Sequence, residues 1–569
     1  MSWQIPRTSL SKQIQMNEGR ILVYSDLFDD KPKSIDEYLK GIGKDRLFQA
    51  AEHFLSFKNQ GSDFEEMQIF INYFFRTENI DFRIDVSQRV QTYQNNKGVP
   101  VTMVYPFSSL KLYEFAYNNA ENSTTQSEVE IERNLFLGYL ALNEEWFLTR
   151  NVRAKTSTQT LPKDFYPAAF YFSLHFPSWD LILQDKTKYL IAQLCKAVIF
   201  FEYAEIAMQQ ILKDFLEYFE CADWKEFMKR VLDIPSKLVM QDKEGTSDFI
   251  VADNEQSAAN IQFLEKLSLA DEKLMEGTDF ISLRNKPFRQ IESGKFRVIN
   301  PLFVLDKIYK GLYFKFRELH EESGSPLGDL RQKITSEFSE HRLLYEVMEF
   351  AFSNRFVQHT GKELAEKKID GAPDYYIRNG RKILLFENKD ILINAALKDS
   401  FDYNKYGPEI KKKLLDVGMR QLVNSIRLIC SGNCPYDDAI PKKNLNIYPI
   451  LVLHDNLYNT PALNSIVNYH FQIELQKLRS DGVDIVGIRS LVLIDIDTLI
   501  FLAPLIQSKK TDLFDLLGNY TEMIERNNNK QTLEKIKERI ALPFAGFLEK
   551  YNFPILTTFF SKQGLKLFH

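Results

Sequence analysis

Carboxylates and a lysine crowd the end of a short hydrophobic stretch, Gly371 to Asp390, which reads GAPDYYIRNGRKILLFENKD. Asp374, Glu387 and Lys389 are residue types that can hold a divalent cation and steady an oxyanion. Carboxylate oxygens with open coordination suit Mg²⁺ or Mn²⁺, and an ammonium is a compact point charge for a phosphate or a bound water. Asn379-Gly380 is a strong hairpin signal, because both turn positions must tolerate positive φ. With those two as the turn, Arg378 pairs with Arg381, and Asp374 falls opposite Leu385. Side chains alternate with period two, so Asp374, Leu385, Glu387 and Lys389 share one face, with Glu387 diagonal to Asp374 at about 7 Å. Ile383 to Phe386 are apolar on both faces, the pattern of a central strand covered on both sides. Charges that end such a strand must be paired or used. Two converging carboxylates repel, and they stay ionised most readily around a cation. The competing reading is a structural, salt-bridged hairpin.

Pro373-Asp374, followed on the next strand by Glu387-Asn388-Lys389, resembles the PD-(D/E)XK nuclease superfamily, whose fold is restriction-endonuclease-like. The resemblance implies that Asp374 and Glu387 bind Mg²⁺ (or Mn²⁺), that the carbonyl of Asn388 completes the metal shell, and that Lys389 positions or activates the attacking water. It further implies metal-dependent hydrolysis of phosphodiester bonds, with DNA the expected substrate and a defence or restriction-type endonuclease the expected role. An RNase or other phosphodiesterase on the same site, and a non-catalytic scaffold with a nuclease fold, are the alternatives. In that family the helix before the first core strand often carries a Glu aimed at the metal. Glu337, Glu340 and Glu346 are candidates, and Glu340 is preferred because it adjoins Phe338 early in the helix with an apolar run after it. The helix after the hairpin carries Lys411, Lys412, Lys413, Arg420 and Gln421. Gln421 matches the Gln of an accessory helical motif found in some members, although Ser425 stands where that motif has a tyrosine. The lysine triplet is a candidate for phosphate contact, set against a plain solvated helix start.

These residues need particular elements to hold them. Asp329 to Phe352 has a helical apolar stripe of Ile334, Phe338, Leu344, Val347 and Ala351. Arg355 to Thr360 is the expected first core strand. Pro408 to Ile429 is the helix after the hairpin, with Leu414, Val417, Leu422 and Ile426 facing inward. Leu445 to Leu453 is a buried strand in which Pro449 marks a bulge or an edge. His454 at its end is either a proton carrier or a satisfied surface histidine. A helix over Ile466 to Leu478, strands over Val483 to Gly487 and Ser490 to Ile494, and a helix over Thr498 to Ile506 follow. This order is the αβββαβ core of the resembled superfamily, and the resemblance spans about residues 329 to 500.

The remainder sets bounds. A chain of 569 residues with 44% hydrophobic and 13% aromatic content forms several cores. A net charge of −5 gives no global basic footprint, so nucleic-acid contact must come from a local patch. Four cysteines, Cys195, Cys221, Cys430 and Cys434, make no disulfide framework. Cys430 and Cys434 lack a second pair at zinc-ligand spacing, and a cytoplasmic location is the natural reading. The opening MSWQIPRTSL lacks an apolar signal core. Tyr189 to Phe201 contains Gln193 and Lys196, which marks a buried helix and no membrane span. Helical periodicity recurs over Ile35 to Leu55, Phe64 to Arg76, Ser127 to Phe147 and Lys188 to Glu217. Ile80 to Tyr93 and Val99 to Tyr105 read as β-like around a turn at Asn95 to Gly98. The string Phe165, Tyr166, Phe170, Tyr171, Phe172 reads as core packing. Gln241 to Asn260 is the expected linker. Strands at Phe280 to Leu283, Phe288 to Ile291 and Lys295 to Ile299, then a helix over Phe303 to Leu319, lead into the catalytic domain. The expected division is a mainly α-helical N-terminal region, 1–277, for recognition or a protein partner, then an α/β restriction-endonuclease-like domain, 278–510. A helical extension, 511–569, with a break at Asn527 to Lys530, completes it. Nucleic acid and a second copy of the chain are the other expected partners.

Overall fold

Val86, Val90 and Gln94 are buried at a spacing of four, which is the repeat of a helix and not of a strand. The segment Ile80–Lys97 is accordingly one helix, closed by Gly98 at φ +66°, whose N–H donates to the Gln94 carbonyl at 2.8 Å. The β-like reading of this stretch was misled by its opening, Ile-Asp-Phe-Arg-Ile-Asp-Val, which alternates apolar and polar for one turn too long. Only Val101–Thr102 is extended, paired in parallel with Arg20–Ile21. The computed structural model describes residues 20–56, 64–182, 185–240, 248–270, 273–275, 279–323, 329–369, 371–398, 400–432, 434–441, 443–525, 539–556 and 558–568. The first ten residues and Asn527 to Lys530, about which expectations were stated, lie outside these. The chain is mostly helical, with small mixed sheets. Among the described residues no helix is long and apolar enough to cross a membrane.

Two compact units are present, and they interleave along the chain. The first comprises the described residues of Met1–Arg153, Leu181–Leu183 and Arg230–Asp306. Its three-stranded antiparallel sheet pairs Asp248–Ile250 and Phe288–Glu292 with Lys295–Val298. The expected linker therefore supplies a strand and the start of the helix Ser257–Lys266, its Gln241-to-Ser247 part lying outside the described residues. The expected strand at Phe280 is the helix Ile281–Asn285. Glu52, enclosed in this unit, accepts from Arg289 at 2.8 Å, Arg297 at 2.9 Å and the Tyr113 hydroxyl at 3.2 Å. A buried carboxylate persists when it is paired and hydrogen-bonded in this way.

The second unit comprises the described residues of Ala154–Asp180, Gln184–Lys229 and Lys307–His569. The boundaries expected after residues 277 and 510 thus do not coincide with the units. Phe165 and Phe172 pack, as core, in one apolar cluster with Tyr406, Leu414, Leu422 and Leu451. Leu513–Glu525 likewise buries Leu513, Phe514, Leu517 and Tyr520. The five-stranded sheet of this unit runs in strict sequence order: β1 (Val357–Thr360), β2 (Tyr375–Asn379), β3 (Lys382–Lys389), β4 (Asn446–Leu453) and β5 (Val492–Asp495). β1, β2 and β3 form an antiparallel meander, and β4 and β5 add in parallel. A continuous helix precedes β1, built from Leu330–Gln332, Lys333–Leu344 and Tyr345–Phe352, and is called α1 here. Between β3 and β4 runs α2, built from Tyr403–Ile410, Lys411–Met419 and Arg420–Cys430. α1 lies on the Tyr375–Phe386 face of the sheet through the Tyr345 ring, 5.7 Å from that of Tyr375. α2 covers the Ile383–Leu385 face with Ile410, Leu414, Leu422 and Ile426.

Pro449 sits on a central strand and not at an edge. Ile447 pairs with Gly487 and Arg489, and pairing resumes at Val492 with Ile450. Pro449, with no N–H to give, falls in that interruption. The strand expected over Val483 to Gly487 is reduced to a single bridge between Ile447 and Ile488. Gly487 makes the close approach feasible: its φ is +85°, and an added Cβ would stand 1.9 Å from the Leu445 carbonyl oxygen. Gly487→Ala is expected to destabilise the second unit by about 1–3 kcal/mol, read as a lowered urea midpoint or melting temperature.

Candidate active site

The β2–β3 hairpin fixes the geometry. Asn379 pairs with Lys382 and Arg378 with Ile383, so the turn residues are Gly380 and Arg381. Gly380 alone has positive φ, +59°, the pattern of a II′ turn with Gly first. The expected register, Arg378 against Arg381, is therefore displaced. Continuing the observed ladder one step beyond Tyr375–Phe386 sets Asp374 directly opposite Glu387 and not opposite Leu385. Directly opposed side chains stand about 4.5–5.5 Å apart at Cβ, closer than the diagonal first expected.

At this point three charges converge. Lys389 Nζ donates to Glu387 Oε1 at 2.6 Å, and the Asn388 N–H donates to Asp374 Oδ2 at 2.7 Å. Glu387 is fully buried, and its Oε2 has no hydrogen-bond partner. Burial, and next the charge of Asp374, push Glu387 well above the ordinary carboxylate range. Burial, and next the charge of Glu340, push Asp374 up to about 6, against the pull of Lys389 and the Asn388 N–H. Burial draws Lys389 down, but Glu387 and Asp374 outweigh it, so its ammonium is held above its ordinary value.

Backbone packing sets these side chains. The Gly361 N–H donates to the Asp374 carbonyl at 2.7 Å, and a Cβ on Gly361 would stand 2.9 Å from the Asp374 Cα. Gly418 of α2 lies against Lys389: a Cβ there would stand 3.2 Å from Lys389 Cγ.

Of the three candidate glutamates on α1, Glu340 is the one electrically coupled to Asp374, Glu387 and Lys389. Glu337 is exposed and bonds Tyr203 at 2.8 Å. Glu346 accepts from Gln563 at 2.6 Å. Glu340 Oε1 accepts from the Tyr345 hydroxyl at 3.1 Å and lies 3.3 Å from His341 Nε2. The bond to Glu340 raises the pKa of His341. Neither partner was foreseen in the sequence. Tyr345 is five residues from Glu340, and its N–H bonds the Glu340 carbonyl, so the helix here is widened to an i→i+5 repeat that α-helical spacing does not forecast. The same widening recurs on α2 at Lys411–Met419.

The basic set on α2 divides. Lys413 donates to the Leu392 carbonyl at 2.8 Å and pairs with Glu409 at 3.1 Å, and Arg420 pairs with Asp416 at 3.1 Å. Lys411 and Lys412 are exposed. Gly418, Gln421 and Ser425 share a helix face. Gly418 touches Lys389, and Ser425 donates to the Gly371 carbonyl at 2.8 Å, so Gln421 lies between those anchors. Its Oε1 is buried with no hydrogen-bond partner.

Asn388 points to the other side of the sheet, where its Oδ1 meets His454 Nε2 at 2.7 Å. Burial drives His454 down to about 4, so it is neutral at physiological pH. It is neither a surface histidine nor a satisfied one, because its Nδ1 is buried with no hydrogen-bond partner. A metal contact from Asn388 would have to come from its carbonyl.

The donor set suits a divalent cation: two facing carboxylates held above their ordinary values, one with an unpartnered buried oxygen. Among the described residues no group of three or more His, Cys, Asp or Glu side chains is arranged to hold a metal ion, so backbone carbonyl and water would have to complete the shell. No family model, no curated protein and no solved structure matches the chain.

The raised pKa of Asp374 has a stability consequence. A carboxyl whose folded pKa is raised stabilises the fold below about pH 4 and loses that contribution as pH rises through about 6. Asp374→Asn is therefore expected to raise stability in EDTA above pH 7, on the order of 1–3 kcal/mol. The gain should vanish near pH 4, as read by thermal melts across pH.

Proposed function

We propose that the second unit is a metal-dependent nuclease of the PD-(D/E)XK kind, acting on phosphodiester bonds with DNA as the foremost substrate. The observation that carries this reading is the convergence of Asp374, Glu387 and Lys389 at the end of one hairpin. A fully buried carboxylate there is opposed by a second and left with one unpartnered oxygen. The order helix, three-stranded meander, helix and parallel strand agrees with the αβββαβ core of that superfamily.

Asp374, Glu387 and the Asn388 carbonyl would hold Mg²⁺ or Mn²⁺, which supplies polarisation of the phosphate and a lowered pKa for a bound water. Lys389, with its pKa held up by the carboxylates, stays protonated at neutral pH. It is therefore a fixed positive charge that orients water or stabilises the phosphoryl oxygens in the transition state, and not a proton acceptor. Glu340 supports the cluster from α1 and sets the Tyr345 hydroxyl. Lys411 and Lys412, exposed on α2, supply local positive charge to a polyanion on a chain with net charge −5. A defence or restriction-type role, a protein partner for the first unit and a cytoplasmic location extend this reading.

Purified full-length chain incubated with plasmid DNA, single-stranded DNA and RNA in Mg²⁺ or Mn²⁺ is expected to cleave DNA, with EDTA abolishing the reaction. Asp374→Ala and Lys389→Ala should each lower the rate by about 100-fold or more, in line with loss of transition-state electrostatics, with unchanged circular dichroism. Cleavage confined to RNA would reassign the substrate, and undiminished cleavage by either folded variant would remove the mechanism.

A further inference from the structure

Asp390 follows Lys389 directly, and none of the chemistry above uses it. Its side chain is 12% exposed. The Ser339 hydroxyl donates to Asp390 Oδ2 at 2.6 Å. The Arg331 guanidinium donates to Asp390 Oδ1 at 3.3 Å and also to the Asp390 backbone carbonyl. Both partners lie on α1, two helical turns apart, and Ser339 is the residue before Glu340. One carboxylate therefore ties the element that carries Glu340 to the strand end that carries Glu387 and Lys389. Ser339 is fully buried, so its hydroxyl has no water to exchange for Asp390. Arg331 lies in the turn just before the widened stretch of α1, and Ser339 falls within that stretch, a geometry that is rare and usually short. A charge-assisted O–H···O⁻ bond at this distance is among the stronger neutral-to-ionic contacts available to it.

We infer that Asp390 is a positioning residue for the Asp374–Glu387–Lys389–Glu340 cluster. It acts through Ser339 and Arg331, and sets where Glu340 stands over the hairpin end. This rests on the nuclease reading. Loosening the tie leaves every proposed metal-holding and charge-stabilising group in place but frees Glu340 to drift from Asp374. The affinity of the cluster for a cation falls as outer-shell support is lost.

The test uses the full chain, with Mn²⁺ as the calorimetric probe and the Mg²⁺ dependence of cleavage as a second readout. Asp390→Ala is expected to weaken Mn²⁺ binding by about tenfold and to raise the Mg²⁺ concentration for half-maximal cleavage in proportion. Asp390→Asn keeps an acceptor for Ser339 and should recover most of the loss. Ser339→Ala removes one hydroxyl, should show part of the loss, and keeps the inference testable if Asp390→Ala does not fold. Folded variants that bind Mn²⁺ as the unaltered chain does, with an unchanged Mg²⁺ requirement, overturn the inference alone, whatever happens to the unfolding midpoint. An unaltered chain that neither binds Mn²⁺ nor cleaves overturns the nuclease reading and this inference with it.

Discussion

A carboxylate without water or partners around it costs several kcal/mol, and it escapes that cost by pairing, by taking up a proton or by meeting a cation. Glu387 is fully buried at the end of an apolar strand and has only part of each remedy. Lys389 satisfies one oxygen, the other has no hydrogen-bond partner, and Asp374 faces it across the hairpin. The surrounding packing holds these groups close together. Gly361 and Gly418 permit close backbone approach on either side, α2 closes over Lys389, and the Asn388 N–H pins Asp374. A hairpin designed only for stability would place apolar pairs at these positions.

The sequence made the triad legible because its signals were local. The apolar run before Glu387, the turn residues and the alternation of side chains sufficed to put Asp374, Glu387 and Lys389 on one face. The observed register differs from the expected one by one residue on each side of the loop, because Gly380-Arg381 and not Asn379-Gly380 occupies the turn centre. That difference moves the pairing sum by two, which preserves facing and alters only distance. A slip of one would have turned Glu387 to the opposite side. The α1 helix, α2 and the helix Leu463–Ser480 were also legible, since each carries a long apolar period, although Val417 of α2, expected to face inward, is exposed; the four-residue first strand carries no such period.

What was not legible depends on partners distant in sequence. The local context of Glu340, beside Phe338 with an apolar run after it, favoured it over Glu337 and Glu346, but the groups that face each of them decide the matter. The ties from Asp390 to Ser339 and from Asn388 to His454 join residues 51 and 66 positions apart. Pro449 was expected to mark a bulge or an edge, but its strand is central and pairs with β3 without a register shift; the interruption lies in the neighbouring segment before β5. In the first unit, apolar residues alternating with charged ones over Ile80 to Val86 concealed a helix at Ile80–Lys97, where burial at Val86 and Val90 overrides local preference.

The second unit is assembled from stretches that synthesis delivers at different times. Ala154–Asp180 and Gln184–Lys229 leave the ribosome before Arg230–Asp306, a piece of the other unit, and the sheet comes later still. Phe165 and Phe172, which end up against Tyr406, Leu414 and Leu451, must wait for more than two hundred further residues to be translated. During that interval their apolar faces are open to wrong partners, as for any nascent segment whose mate is not yet made. A fragment cut to the strands alone would lack those rings permanently, so the second unit needs its early segments as well as its sheet to close its core.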